Sequence, residues 1–139
     1  MELIQRLCDA KYEVNIETNG SISVEDVATK FDSKHVIITM DWKSPSSGVN
    51  SHMLESNLAI LCPTDVLKFV VGSEEDLDDM LTVIKSHDID AQVFVSPVFG
   101  KIEPSKIVEY VLQHSQVLKD VRVQVQLHKI IWDPNRRGV

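Results

Sequence analysis

One arrangement recurs along this chain and restricts what it can fold into. An apolar, β-branched run stops abruptly in a small polar cluster. Val14-Asn15-Ile16 leads into Glu17-Thr18-Asn19-Gly20, and Val36-Ile37-Ile38 leads through Thr39 and Met40 into Asp41-Trp42-Lys43-Ser44-Pro45-Ser46-Ser47-Gly48. Val93-Phe94-Val95 leads into Ser96-Pro97-Val98-Phe99-Gly100. Between such runs lie stretches of helical periodicity, so the order reads α-β-(α)-β-α-β-α-β-α-β. That alternation predicts a mostly parallel α/β sheet with right-handed crossovers. The carboxyl ends of parallel strands share one side of the sheet, and ligands bind on that side. The polar clusters therefore predict one shared pocket.

The elements follow from local signals. Glu2 to Ala10 reads as a helix and Glu13 to Glu17 as a strand. Val24 to Thr29 reads as a short helix or a turn, with Ser23 as candidate N-cap. His35 to Asp41 is nearly continuous in apolar and β-branched residues, which predicts a strand buried on both faces. Ser51 to Leu61 is expected to be a helix, and Val66 to Val71 a strand. Ser73 caps a predicted helix from Glu74 to about His87, with acids in its first turn. Ala91 to Val95 is a further strand, and Pro104 opens a helix to about Gln116. Val121 to Trp132 is expected as one long final strand, broken by Asp133-Pro134-Asn135. No linker divides the sequence, so residues 1–139 are expected to form a single domain.

Composition limits the partners. A chain of 139 residues with 43% apolar and 25% charged side chains can bury a core. Its net charge of −7 is a poor match for a nucleic-acid backbone. No apolar run reaches the roughly 20 residues that span a bilayer, and no signal peptide is recognisable. No nucleic acid and no membrane are expected as partners, and a cytoplasmic location is expected. Cys8 and Cys62 stand alone, in neither a disulfide framework nor a metal-ligand spacing.

Several residues carry candidate chemistry. Glu17, Thr18 and Asn19 end a strand, where they either bind a polar ligand or form an ordinary turn. Asp41 and Lys43 project to the same side of an extended segment. They either pair with each other or hold a ligand's ammonium and carboxylate. Lys68 interrupts an apolar strand and is expected to reach solvent along its stem. Gln124, Gln126 and His128 alternate along the predicted last strand, which would place all three on one side. If that side faces the pocket, His128 is the natural proton carrier. His35, His52, His87 and His114 read as surface residues. The glycine-rich nucleotide loops, the nucleophile elbow and the zinc-protease motif are absent from the sequence.

Taken together and in order, several segments resemble a known family. These are Glu17-Thr18-Asn19-Gly20, the run from Asp41 to Gly48, Leu67-Lys68-Phe69-Val70-Val71 and Ser96-Pro97-Val98-Phe99. Gln126-Leu127-His128-Lys129-Ile130-Ile131-Trp132 and the tail Arg136-Arg137-Gly138-Val139 complete the set. They look like the C-terminal part of 7-carboxy-7-deazaguanine synthase, a radical SAM enzyme of queuosine and deazapurine biosynthesis. The resemblance extends over essentially the whole chain. It implies a partial, radical-SAM-type β/α barrel whose first strands are missing. It also implies S-adenosylmethionine as cofactor and the pterin 6-carboxy-5,6,7,8-tetrahydropterin as substrate. The family further uses a 4Fe-4S cluster and magnesium, and it acts as a lyase.

Residue by residue, the resemblance places Glu17, Asn19, His128 and the carboxylate of Val139 at the substrate. It places Lys43, Ser46, Ser47, Ser96 and Pro97 at S-adenosylmethionine. The family's three-cysteine cluster loop, its Gly-Gly-Glu-Pro-type motif and its magnesium-binding threonine have no counterpart in this sequence. Two isolated cysteines do not make a cluster site. The expectation is a truncated or split gene product, inactive without the cluster-bearing segment. A non-catalytic module binding S-adenosylmethionine or the pterin is the alternative. A homodimer or an N-terminal partner chain is expected as partner.

Overall fold

A computed structural model describes residues 1–138, so Val139, expected at the substrate, lies outside the described residues. Five strands form one sheet: β1 (Val14–Thr18), β2 (Val36–Trp42), β3 (Val66–Val71), β4 (Gln92–Pro97) and β5 (Arg122–Val123). The spatial order is β1-β2-β3-β4-β5 and every neighbouring pair is parallel. Sequential order means that each crossover advances in one direction, as in a β/α barrel. A doubly wound sheet would instead reverse at a switch point. The helices are α1 (Glu2–Asp9), α2 (Glu25–Lys30), α3 (Glu74–Ser86), α4 (Pro104–Gln113) and α5 (Leu127–Ile131).

The core lies on one side of this sheet. Ile38, Met40 and Trp42 of β2, Leu67, Phe69 and Val71 of β3, and Val95 of β4 pack with Leu77, Met80 and Leu81 of α3 and Ile107 of α4. Burial alternates strictly along β2 and β3. The expectation that β2 is buried on both faces is therefore corrected. Ile37, Thr39 and Asp41 face the other side and are only half buried. β-Branched residues suit a strand whether it is covered once or twice, so composition did not separate the two cases.

The sequence signals for α3 hold. The Ser73 hydroxyl accepts from the Asp76 N–H at 3.2 Å, and Glu74, Glu75 and Asp76 fill the first turn. For α2 the cap is one residue later than expected. Val24 occupies the N-cap position, while the Ser23 hydroxyl accepts from the Glu25 N–H at 3.2 Å.

Two expected elements are replaced. The helix predicted over Ser51 to Leu61 is instead a pair of single 3₁₀ turns, Asn50–His52 and Glu55–Asn57. Met53 and Leu54 are extended between them. Tertiary bonds replace the helical ones there: the Leu54 N–H donates to the Gly20 carbonyl at 3.1 Å. The long strand predicted over Val121 to Trp132 pairs only through Arg122 and Val123, followed by a Gln124 N–H to Val95 carbonyl bond of 2.8 Å. Its remainder turns at Gln126 into α5.

Candidate functional site

The strand carboxyl ends do meet on one side, because all five strands are parallel and in register. Three loops form the rim there, and buried polar side chains fix two of them. Asn57, with no solvent exposure, holds the loop after β1. Its Oδ1 accepts from the Val24 N–H at 3.1 Å, and its Nδ2 donates to the Gly20 and Ile22 carbonyls at 3.1 and 3.0 Å. Gly20 has φ of +70°, and a Cβ there would sit 2.6 Å from the Met53 Cε and 3.0 Å from the Met40 sulfur. The positive φ favours glycine, and a side chain there would also have to displace the ends of Met53 and Met40.

Asp76 holds the loop after β2. Its carboxylate accepts from the Ser46 N–H at 2.9 Å, the Ser46 hydroxyl at 2.6 Å and the Gly72 N–H at 2.7 Å. Burial raises the cost of its charge. The bonds from Ser46, Gly72 and Ser73 outweigh that cost and hold the carboxyl below its ordinary range. In sequence, Ser73 to Asp76 resembles a capping box. In the fold the acid leaves the cap and ties the β2 loop to the start of α3. Nearby, burial holds the Asp79 carboxyl above its ordinary range, against the 3.2 Å bond from Trp42 Nε1 and with the Asp76 and Glu75 charges adding to the rise.

The predicted site residues divide into groups. Asn19 and Lys43 share a cavity of about 380 Å³ with Ser21, Val49, His52 and Met53. Asn19 Oδ1 closes a turn by accepting from the Ser21 N–H at 3.1 Å and the Ser21 hydroxyl at 2.8 Å. Lys43 Nζ donates to Asp41 Oδ2 at 3.2 Å, so the ion pair is formed, and both side chains remain partly exposed. Glu17 is exposed on the helix-free side of β1, opposite Thr39.

Ser46 is engaged by Asp76, whereas the exposed Ser47 accepts from the Val49 N–H at 3.3 Å. Ser96 and Pro97 alternate to opposite sides. Ser96 pairs with Val70 on the helix-free side, and Pro97 lines a separate cavity of about 190 Å³ with Phe99, Ile102 and Val125. His128 does not lie on a strand beside Gln124 and Gln126. It is exposed in the first turn of α5, outside the cavity at Asn19 and Lys43. That placement on a strand is corrected because β5 stops after two residues.

His52 is exposed, as expected of a surface residue, and it also lines the cavity with Lys43. No sequence spacing signals this, since the 3₁₀ turns that carry it are held by Asn57 and Gly20. A larger cavity of about 750 Å³ lies at the amino ends of β4 and β5, between Gln92 and Arg122, on the side away from the polar clusters. The strand-end cavity is the better candidate, because fixed loops border it and Lys43, paired with Asp41, lines it.

Fold and site together define a class: a singly wound, all-parallel α/β protein that presents polar groups at its strand ends and on one helix-free face. Comparison with curated proteins narrows it. The chain is 40% identical over 142 aligned positions to the 7-carboxy-7-deazaguanine synthase of Clostridium acetobutylicum, covering all of this chain and 62% of that relative. It is 38% identical to the synthase of Methanospirillum hungatei, covering 96% of this chain and 52% of the relative. For the synthase of Chlorobaculum tepidum the identity is 39%, with coverages of 99% and 61%. The chain is thus a homologue of 7-carboxy-7-deazaguanine synthases along its whole length, and it spans little more than half of theirs. No family model matches it, and no solved structure does.

The described residues do not fit the iron–sulfur cluster of radical SAM enzymes. Cys8 lies near the end of α1, and Cys62 precedes β3, both toward the amino ends of the strands. Cys62 Sγ is 3.1 Å from the Thr64 hydroxyl. Among the described residues, no three His, Cys, Asp or Glu side chains gather to hold a metal ion. No helix among them is long and apolar enough to cross a membrane.

Proposed function

We propose that this chain is the C-terminal, ligand-facing part of a 7-carboxy-7-deazaguanine synthase. It forms one wall of the pocket for S-adenosylmethionine and 6-carboxy-5,6,7,8-tetrahydropterin. The observation that carries this reading is the combination of similarity over the whole chain with a sheet whose strand ends supply fixed polar loops. S-Adenosylmethionine, when bound, supplies the radical precursor in enzymes of this class. The residues of this chain orient ligands. Lys43, Asp41 and Asn19 offer charge and hydrogen bonds at the strand ends, Glu17 and Ser96 line the helix-free face, and Asp76 and Asn57 keep the loops in place. His128 is assigned to the pterin only through the family resemblance.

Without thiolates for the cluster, the chain alone is catalytically silent, and activity requires a segment that brings them. Calorimetry on the purified chain tests the binding half of this reading. Saturable heat with S-adenosylmethionine or with pterin-6-carboxylate is expected. No heat with either overturns it. Mixing the chain with a separately produced cluster-bearing segment tests the catalytic half by pterin turnover. Turnover by the chain alone would contradict the assignment of the radical chemistry to a missing segment.

A further inference from the structure

We propose that the helix-free face of the sheet holds a ligand's carboxylate between Lys68 and Arg122, beside the ring of Phe94. This rests on reading that face as ligand-facing, and it adds the chemical group that the face selects. The register places Asp41 opposite Lys68, Lys68 opposite Phe94, and Phe94 opposite Arg122. These residues form one row across four strands. With strands about 4.8 Å apart, the backbones of Lys68 and Arg122 are separated by roughly 10 Å. The Arg122 guanidinium lies 5.5 Å from the Phe94 ring centroid, so it leans inward along the row toward Lys68.

Among the described residues neither cation has an ion-pair partner. Among the described residues the ion pairs of Lys and Arg involve Arg6, Lys43, Lys106 and Lys119. Asp41 is the acid nearest to Lys68 in register, and its carboxylate is engaged by Lys43 at 3.2 Å. The acids of this face, Glu13, Glu17 and Asp41, lie on or beside β1 and β2, whereas Lys68 and Arg122 lie on β3 and β5. A half-buried lysine on a strand loses hydration, and an anion restores what is lost. Phe94 supplies an apolar surface beside the two cations. A planar, conjugated carboxylate satisfies both features, whereas a neutral planar ring satisfies only one.

The test is a nuclear magnetic resonance titration of the isotope-labelled full chain at low ionic strength. The probes are naphthoate and its neutral analogue naphthamide. Naphthoate is expected to shift the amides of Lys68, Phe94 and Arg122 and to bind about tenfold more tightly than naphthamide. Lys68→Met and Arg122→Gln are each expected to weaken naphthoate about tenfold, while Lys68→Arg retains binding. Added salt weakens it further. Thermal melting of each variant separates lost binding from lost structure. Equal binding of the two probes overturns the proposal, as does naphthoate affinity that ignores both substitutions. If naphthoate behaves as expected while S-adenosylmethionine and pterin-6-carboxylate fail to bind, the proposed function falls and the carboxylate site stands. If those ligands bind and neither substitution affects them, the function stands and the carboxylate site falls.

Discussion

Replacing Asp76 by asparagine isolates the electrostatic tie that fixes the β2 loop. The two side chains have nearly the same shape, so packing is preserved. One carboxylate oxygen accepts from the Ser46 hydroxyl and the Gly72 N–H, and the other accepts from the Ser46 N–H. An asparagine can keep the first pair with its carbonyl oxygen. Its amide then faces the Ser46 N–H, donor against donor, in a residue with no solvent exposure. The loss of one charge-assisted bond and the burial of unsatisfied donors together cost about 2–3 kcal/mol. For a chain of this size that lowers Tm by about 6–9 °C.

The pH dependence has a definite sign. The folded carboxyl ionises below the ordinary aspartate value of 3.8. Its contribution is therefore complete above that value and disappears as pH falls through the folded pKa. Wild type and Asp76→Asn should differ at neutral pH and converge in acid. Thermal denaturation followed by circular dichroism across that range measures both effects. A neutral-pH Tm within about 1 °C of wild type would refute the assignment of the loop's stability to this carboxylate.

Other perturbations probe separate parts of the frame. Asn57→Ala removes three bonds to the loop after β1 and is expected to cost about 2–4 kcal/mol, read from denaturant unfolding. Gly20→Ala places a Cβ at positive φ and makes the Met53 methyl shift, and a loss of about 1–2 kcal/mol is expected in the same assay. Burial, followed by the 2.6 Å bond to Asp78, holds the Tyr110 phenol above its ordinary range. Its contribution is complete below the ordinary tyrosine value and is lost as pH rises toward the folded one. Ultraviolet titration should show Tyr110 ionising only on the alkaline side of a free tyrosine, and Tyr110→Phe should remove that late step.

Much of the frame was legible because its signals are local. Val66 to Val71 is a strand by composition and length, and Ser73 followed by acids announces α3. Alternation of the two element types predicted the parallel sheet, and the sheet placed Asn19 and Lys43 side by side. The failures share one cause. Residues 51–61 have the composition of a helix, but Asn57 and Leu54 make their bonds to a loop more than thirty positions earlier. Residues 124–132 are apolar enough for either strand or helix, and only the length of the available partner strand decides between them. The side of β2 that faces solvent was hidden because Ile37 and Thr39 suit a covered face equally well. His128 followed that misplaced strand, whereas Asp41 and Lys43 were correctly placed because their spacing determines their side.

The sheet's sequential order has a consequence for affinity. A singly wound sheet extends only at its two outer strands, so any extension curls around the helix-free face and leaves the helices outside. The Lys43–Asp41 pair and the Lys68–Arg122 row now stand in contact with water, where a single exposed pair contributes about 0–1 kcal/mol. Enclosing the same groups would lower the local dielectric and strengthen every contact they make to a bound anion. Enclosure also raises the cost of desolvating those charges, so the affinity of the same residues in an enclosed pocket is set by how completely a bound anion pairs with them.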